Sequence, residues 1–146
     1  EVPIGAIVVQ NSTTTRRGKV ESLIKILSHG SNQVERRHDA SAHAELVALK
    51  KAAKRLGNWR LMNCTMYTTL EPCSMCLSAA LQFRVDRIVY AAPDLRLGAV
   101  HTHMNLLAHP HPFHNISSVK SGVLQNQSAT LMREFFREKR KRGSRT

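Results

Sequence analysis

Apolar and polar positions recur with two different periods along this chain, and the switches between them mark its elements. Residues 4–9, Ile-Gly-Ala-Ile-Val-Val, form a β-branched run, the pattern of a buried strand. Residues 10–19, with three consecutive threonines followed by Arg16, Arg17 and Gly18, read as a polar loop, and residues 23–27 return as the second strand of a hairpin. From residue 40 the spacing becomes helical: Ala42, Leu46, Leu49, Ala53 and Leu56 follow one face, while Lys50, Lys51, Lys54 and Arg55 fall mostly elsewhere. Asp39 is placed to cap this helix and Gly57 to end it.

Residues 65–70 alternate as a strand, Glu71-Pro72 opens a second helix with Pro at the favoured first position, and residues 87–92 make another strand. Strand, helix and strand in that order predict parallel pairing through a right-handed crossover. Residues 98–118 hold most of the His and Pro and read as loop, with a short helical turn at 104–108. A final helix is predicted over residues 129–142 on Leu131, Met132, Phe135 and Phe136. The class that follows is α/β, with helices covering a mixed sheet.

At 146 residues the chain fits one domain. Its apolar runs are too short to cross a bilayer and no charged-then-apolar leader opens it, so an intracellular, reducing location is expected, the cytoplasm or a plastid or other organelle. Charge narrows the partner: 22 Lys and Arg against 10 acidic residues give +12, which favours a polyanion, nucleic acid first. Much of the surplus sits at the end, in Arg133, Arg137, Lys139, Arg140, Lys141, Arg142 and Arg145, which makes Arg137, Lys139 and Arg140 candidate RNA contacts. A basic run by itself is equally the solvated end of a helix.

The chemistry concentrates in His43-Ala44-Glu45 and Pro72-Cys73-Ser74-Met75-Cys76. His43, Cys73 and Cys76 are three donors suited to zinc, one fewer than closes a structural tetrahedron, which leaves a position open for catalysis. Cysteines three apart at a helix start aim both sulfurs at one spot, and Glu45 can approach the open side without being a ligand. Cys-x-x-Cys after a strand is also how a thioredoxin-like redox pair looks, and His-x-Glu alone is an ordinary helix start. Together they match the zinc deaminase signature. Cys64 is then left as a buried free thiol. The histidines at 101, 103, 109, 111 and 114 are interrupted by Pro on a loop, poor preorganisation for a second metal site, and Trp59 beside Arg60 reads as a rim or core residue more than a base-stacking one.

Beyond the metal motif the chain resembles the tRNA-specific adenosine deaminases of the cytidine deaminase-like superfamily. The likeness runs through Glu1-Val2-Pro3-Ile4-Gly5-Ala6, Asn32, the segment Arg37 to Glu45, Asn58-Trp59-Arg60-Leu61, Thr69 to Cys76, Ala91-Ala92-Pro93-Asp94, Gly122-Val123-Leu124 and Phe135-Phe136-Arg137. It implies a three-layer α/β/α fold in a single deaminase domain over residues 1–146, and one Zn2+ per chain on His43, Cys73 and Cys76. It further implies Glu45 as catalytic proton shuttle, Asn32, Ala44, Asp94 and Phe135 at the substrate, and the last helix on the anticodon stem-loop. The activity implied is deamination of adenosine to inosine at the wobble position, with tRNA-Arg as expected substrate and a homodimer as expected assembly. Two features depart from the family: its leading helix lies outside this sequence, and the first hairpin is longer, with a basic stretch at residues 13–19. Ala40 stands where the family commonly has Pro. Alternatives are a free base or nucleotide deaminase of guanine or deoxycytidylate type, and a non-catalytic RNA-binding subunit, which Glu45 argues against.

Overall fold

Five strands form one mixed sheet in the order β2-β1-β3-β4-β5 in the computed structural model, which describes residues 1–16 and 18–143. The strands are β1 (Gly5–Arg16), β2 (Lys19–Ser31), β3 (Cys64–Leu70), β4 (Arg87–Ala92) and β5 (Ser118–Lys120). The helices are α1 (Val34–Arg37), α2 (Ala44–Leu56), α3 (Ser74–Gln82) and α4 (Gln125–Gly143). β1 pairs antiparallel with both β2 and β3, whereas β3, β4 and β5 run parallel, as the strand-helix-strand order requires.

Alternation sorts the two faces of this sheet. Val8, Met66 and Ile88 are cross-strand neighbours in register and fully buried, beneath Ala48, Leu49 and Ala52 of α2 and Leu77 and Ala80 of α3. On the opposite face the paired Ile7 and Tyr67 remain 40% and 39% exposed, because α4 covers that side only in part, along a groove lined by Val123, Leu124 and Leu131. The Ser128 hydroxyl ties α4 down by donating to the Thr69 carbonyl. Helices on both faces give the three-layer arrangement.

Several boundaries differ from the sequence reading. Residues 10–16 and 19 are not loop: β1 and β2 pair residue by residue from Asn11↔Ile24 to Arg16↔Lys19. Their polarity marks a ribbon exposed to water, not irregular chain, and Thr13 to Thr15 are β-branched and suited to a strand. Gly18 turns the ribbon at φ 74°, where a Cβ would be strained. Arg17 of that stretch and Arg145 of the basic run lie outside the described residues.

Both site helices also start later than expected. Asp39 does not cap α2; its carboxylate accepts from the Ser41 amide and hydroxyl at 2.8 and 2.7 Å and holds a local turn instead. His43 occupies the N-cap of α2, and Cys73 that of α3, with Pro72 just outside the helix. At the far end α4 begins at Gln125, ahead of the predicted 129. The turn expected at 104–108 is a single 3-10 turn, Leu106–Ala108. α1 and β5, four and three residues long, are too short for any period to reveal.

Candidate active site

The site is assembled where two helices begin side by side. His43 and Cys73 hold their N-cap positions, and Cys76 lies in the first turn of α3. An N-cap side chain ordinarily accepts a hydrogen bond from the first turn, but neither of these does, so both are free to face each other. His43 Nδ1 is 3.6 Å from Cys73 Sγ and 3.5 Å from Cys76 Sγ, and all three donor atoms lie within 4.8 Å of one another. Tetrahedral zinc with Zn–S near 2.3 Å and Zn–N near 2.0 Å separates such donors by about 3.6 Å. The donor set therefore fits zinc. Among the described residues no other group of three His, Cys, Asp or Glu meets this test, the histidines of the long loop included.

Protonation favours a metal as well. A hydrogen bond from the Cys76 thiol, with another from His43, holds Cys73 down to about 4 despite its burial. Cys76 is pushed up in turn because its proton is shared with Cys73 and because it is buried. The hydrogen bond to Cys73 raises His43, against the opposing effect of burial. Two sulfurs thus share one proton, the charge that a bound cation replaces. Unpaired amides of the first turn of each helix add favourable potential for thiolate.

Glu45, one residue into α2, is 4% exposed, and burial pushes its carboxyl above the ordinary range. The Thr68 hydroxyl donates to Glu45 Oε1 at 3.5 Å. A carboxyl whose proton affinity is raised by burial is suited to taking and returning a proton.

Glu71, quoted in the sequence only as part of a motif, organises the loop beyond β4. It is 2% exposed and accepts from the amides of Val100, His101 and Thr102 at 3.1, 2.7 and 3.2 Å through Oε1, and from the Asp94 amide at 3.1 Å through Oε2. The Thr102 hydroxyl donates to Oε2 at 2.7 Å. Burial pushes this carboxyl up, but the bonds from the His101 amide, the Thr102 hydroxyl and the Asp94 and Thr102 amides outweigh it and hold it below its ordinary value. Gly98 allows the close approach: a Cβ there would meet Glu71 Oε2 at 2.4 Å. No periodicity signals this residue, since its partners come 23 to 31 positions later. Replacement by Gln turns an acceptor into a donor facing donors; Glu71→Gln is expected to cost about 2 kcal/mol and lower Tm by roughly 6 °C, read by calorimetry.

Of the other sequence candidates, Asp94, Phe135, Arg137, Lys139 and Arg140 line two clefts, and Asn32 and Ala44 line neither. Asn32 leaves β2 with its amide on the Ile4 carbonyl, and its Nδ2 donates to Glu1 Oε2 at 3.3 Å. The next residue, Gln33, bonds the Ala42 carbonyl, which ties this strand end to the His43 segment. Ala44 is fully buried. Asp94, Arg137 and Arg140 line one cleft of about 890 Å3, together with Arg96 and Arg133, which the sequence reading did not name for this role. Phe135 and Lys139 line another of about 400 Å3, together with Glu1. The basic residues of α4 are thus divided between two faces of one helix. Trp59 is a rim residue, 49% exposed, with the Arg60 guanidinium 4.2 Å from its ring centre. Cys64 is buried, and desolvation raises its thiol to about 11, so it is inert as a nucleophile.

Comparison with known proteins identifies this geometry. Residues 1–92 match the model of the cytidine and deoxycytidylate deaminase zinc-binding region. The tRNA-specific adenosine deaminase of Bacillus subtilis is 39% identical over 97% of this chain and 80% of its own length. The chloroplastic tRNA(adenine(34)) deaminase of Arabidopsis thaliana is 36% identical over 93% of this chain, which spans 11% of that longer protein. A solved structure from work on A-to-I editing by tRNA:A34 deaminases superposes with a TM-score of 0.76 at 33% identity, covering 90% of this chain and 86% of that one.

Proposed function

The chain belongs to the cytidine and deoxycytidylate deaminase family, in its tRNA-specific adenosine deaminase branch, and from this footing we propose that it hydrolyses adenosine-34 of a tRNA to inosine and ammonia. The observation that carries the reading is the open donor set of His43, Cys73 and Cys76 with the buried carboxyl of Glu45, its proton affinity raised by burial, beside it. One zinc ion on those three donors would supply Lewis-acid activation of water. Glu45 takes a proton from the attacking water and delivers it to N1 of the adenine ring. It then passes the second proton to the departing amine, which leaves as ammonia. An unpaired anticodon base can be swung out at low cost, which suits a site sunk between two helix starts.

Asn32, Ala44, Asp94 and Phe135 are assigned to the flipped nucleotide, and Arg137, Lys139 and Arg140 to the phosphates of the anticodon stem-loop. The surplus of arginines over acidic residues lining the larger α4 cleft supports this assignment for Arg137 and Arg140. We assign the whole of residues 1–146 to one deaminase domain, acting on tRNA-Arg as a homodimer in a reducing compartment, the cytoplasm or a plastid. No helix among the described residues is long and apolar enough to cross a membrane.

The test is incubation of zinc-loaded protein with an adenosine-34 tRNA-Arg transcript, in parallel with free adenosine, cytidine and guanine. Inosine at position 34 with none of the free compounds consumed is the expected result. Deamination of a free base without action on the tRNA would overturn the reading in favour of the guanine or deoxycytidylate type.

A further inference from the structure

The outer halves of β1 and β2 form a ribbon that no element among the described residues covers. β1 pairs with β3 only from Ala6↔Thr68 to Gln10↔Cys64, so beyond Asn11 the ribbon is two strands wide. It leaves the sheet at the Cys64 end of β3, the opposite end from the one that leads to Cys73. β2 is also the edge strand of the whole sheet. At its base that edge is closed by α2: Arg55 donates to the Leu27 carbonyl at 3.1 Å and Lys51 to the His29 carbonyl at 3.2 Å. The capping stops there. Farther out Val20, Leu23, Ile24 and Ile26 are 71%, 49%, 67% and 58% exposed.

Edges of this kind are normally blunted by proline, by a row of like charges or by a cover. Residues 20–26 contain no proline, and their two charged residues, Glu21 and Lys25, are of opposite sign. We infer that this edge is an interface that pairs antiparallel with the same edge of a second copy of this chain, about a two-fold axis at Leu23. In that register Glu21 of each copy stands opposite Lys25 of the other, twice over, Val20 stands opposite Ile26, and Leu23 meets its own counterpart. A shift of two residues one way would set Lys25 against Lys19, and two the other way would bring Glu21 to Leu27, where Arg55 already occupies the carbonyl. Shifts of one residue pair positions whose peptide groups face opposite edges and cannot bond. Sequence complementarity therefore selects one register, and an isologous contact closes on itself instead of growing into a fibre.

Pairing at this edge leaves the deaminase site untouched and adds to any dimer formed elsewhere on the molecule. Sedimentation of the zinc-loaded chain over a range of concentrations tests it, with deaminase activity as the check that each variant is folded. Glu21→Lys and Lys25→Glu are each expected to raise the dissociation constant of one mass-doubling step about tenfold, because each converts two attractive pairs into two repulsive ones, and the double exchange is expected to restore it. Under mild oxidation Leu23→Cys is expected to link two chains, whereas Ser12→Cys on the inner strand is not. Association that ignores the charge reversals, or a Leu23→Cys chain that stays unlinked, would overturn the inference.

Discussion

Glu45→Ala will lower deamination of an adenosine-34 tRNA by about 10³-fold while each chain still binds one zinc ion. The separation of the two effects is the informative part. Glu45 is not among the three donors, and its carboxyl lies buried at the start of α2 with Thr68 as its hydrogen-bond partner. Its removal takes away the group proposed to move both protons, yet leaves His43, Cys73 and Cys76 in place. Cys73→Ser serves as contrast, because it removes the thiolate held down to about 4 and should lose zinc and activity together. Metal analysis by atomic emission beside an inosine assay reads both. Equal loss of metal in the two variants would mean that Glu45 supports the donor set instead of the proton transfers.

Gly30→Ala will disable the enzyme without touching any functional side chain. A Cβ at residue 30 would meet the Ala44 carbonyl oxygen at 2.2 Å and the Ala48 amide nitrogen at 2.8 Å. Both are backbone atoms of α2, so no side chain can swing aside; the helix itself must lift from β2. Ala44 lies between His43 and Glu45, so the displacement falls at once on the proposed zinc ligand and the proposed proton shuttle. A loss of about 3 kcal/mol in stability is expected, with Tm lowered by roughly 10 °C and zinc affinity reduced in the protein that still folds. Gly57→Ala is the control: its αL conformation is strained by a Cβ, but nothing lies within 4 Å of it. Calorimetry and a zinc titration on both variants separate crowding at α2 from backbone strain at a helix end.

The four residues of the centre were legible because their types are rare in combination and their spacing is short. His43 with Glu45, and Cys73 with Cys76, each need only one helical turn to be brought together. That the two pairs meet was inferred from the conjunction and is seen at 3.5 and 3.6 Å. The strand-helix-strand order likewise predicted the parallel β3 and β4, since its connection permits little else. Glu71 was not legible in this way. A single carboxylate before a proline carries no pattern, and its value comes from amides that the fold returns to it from the far side of β4.

Local sequence determined this protein's chemistry: a three-donor metal site, a carboxylate beside it, and a basic surplus that calls for a polyanion. Those depend on residues close in the chain, whose geometry a helix start or a strand fixes. Tertiary structure decided what distance along the chain hides. It showed that residues 10–16 and 19 are paired strand instead of loop, that Gly30 is required by a helix beginning fourteen residues later, and that the basic residues of α4 divide between two clefts. The reason is physical. A polar strand and a polar loop share a composition, and only the partner strand, the packed helix or the facing cleft distinguishes them.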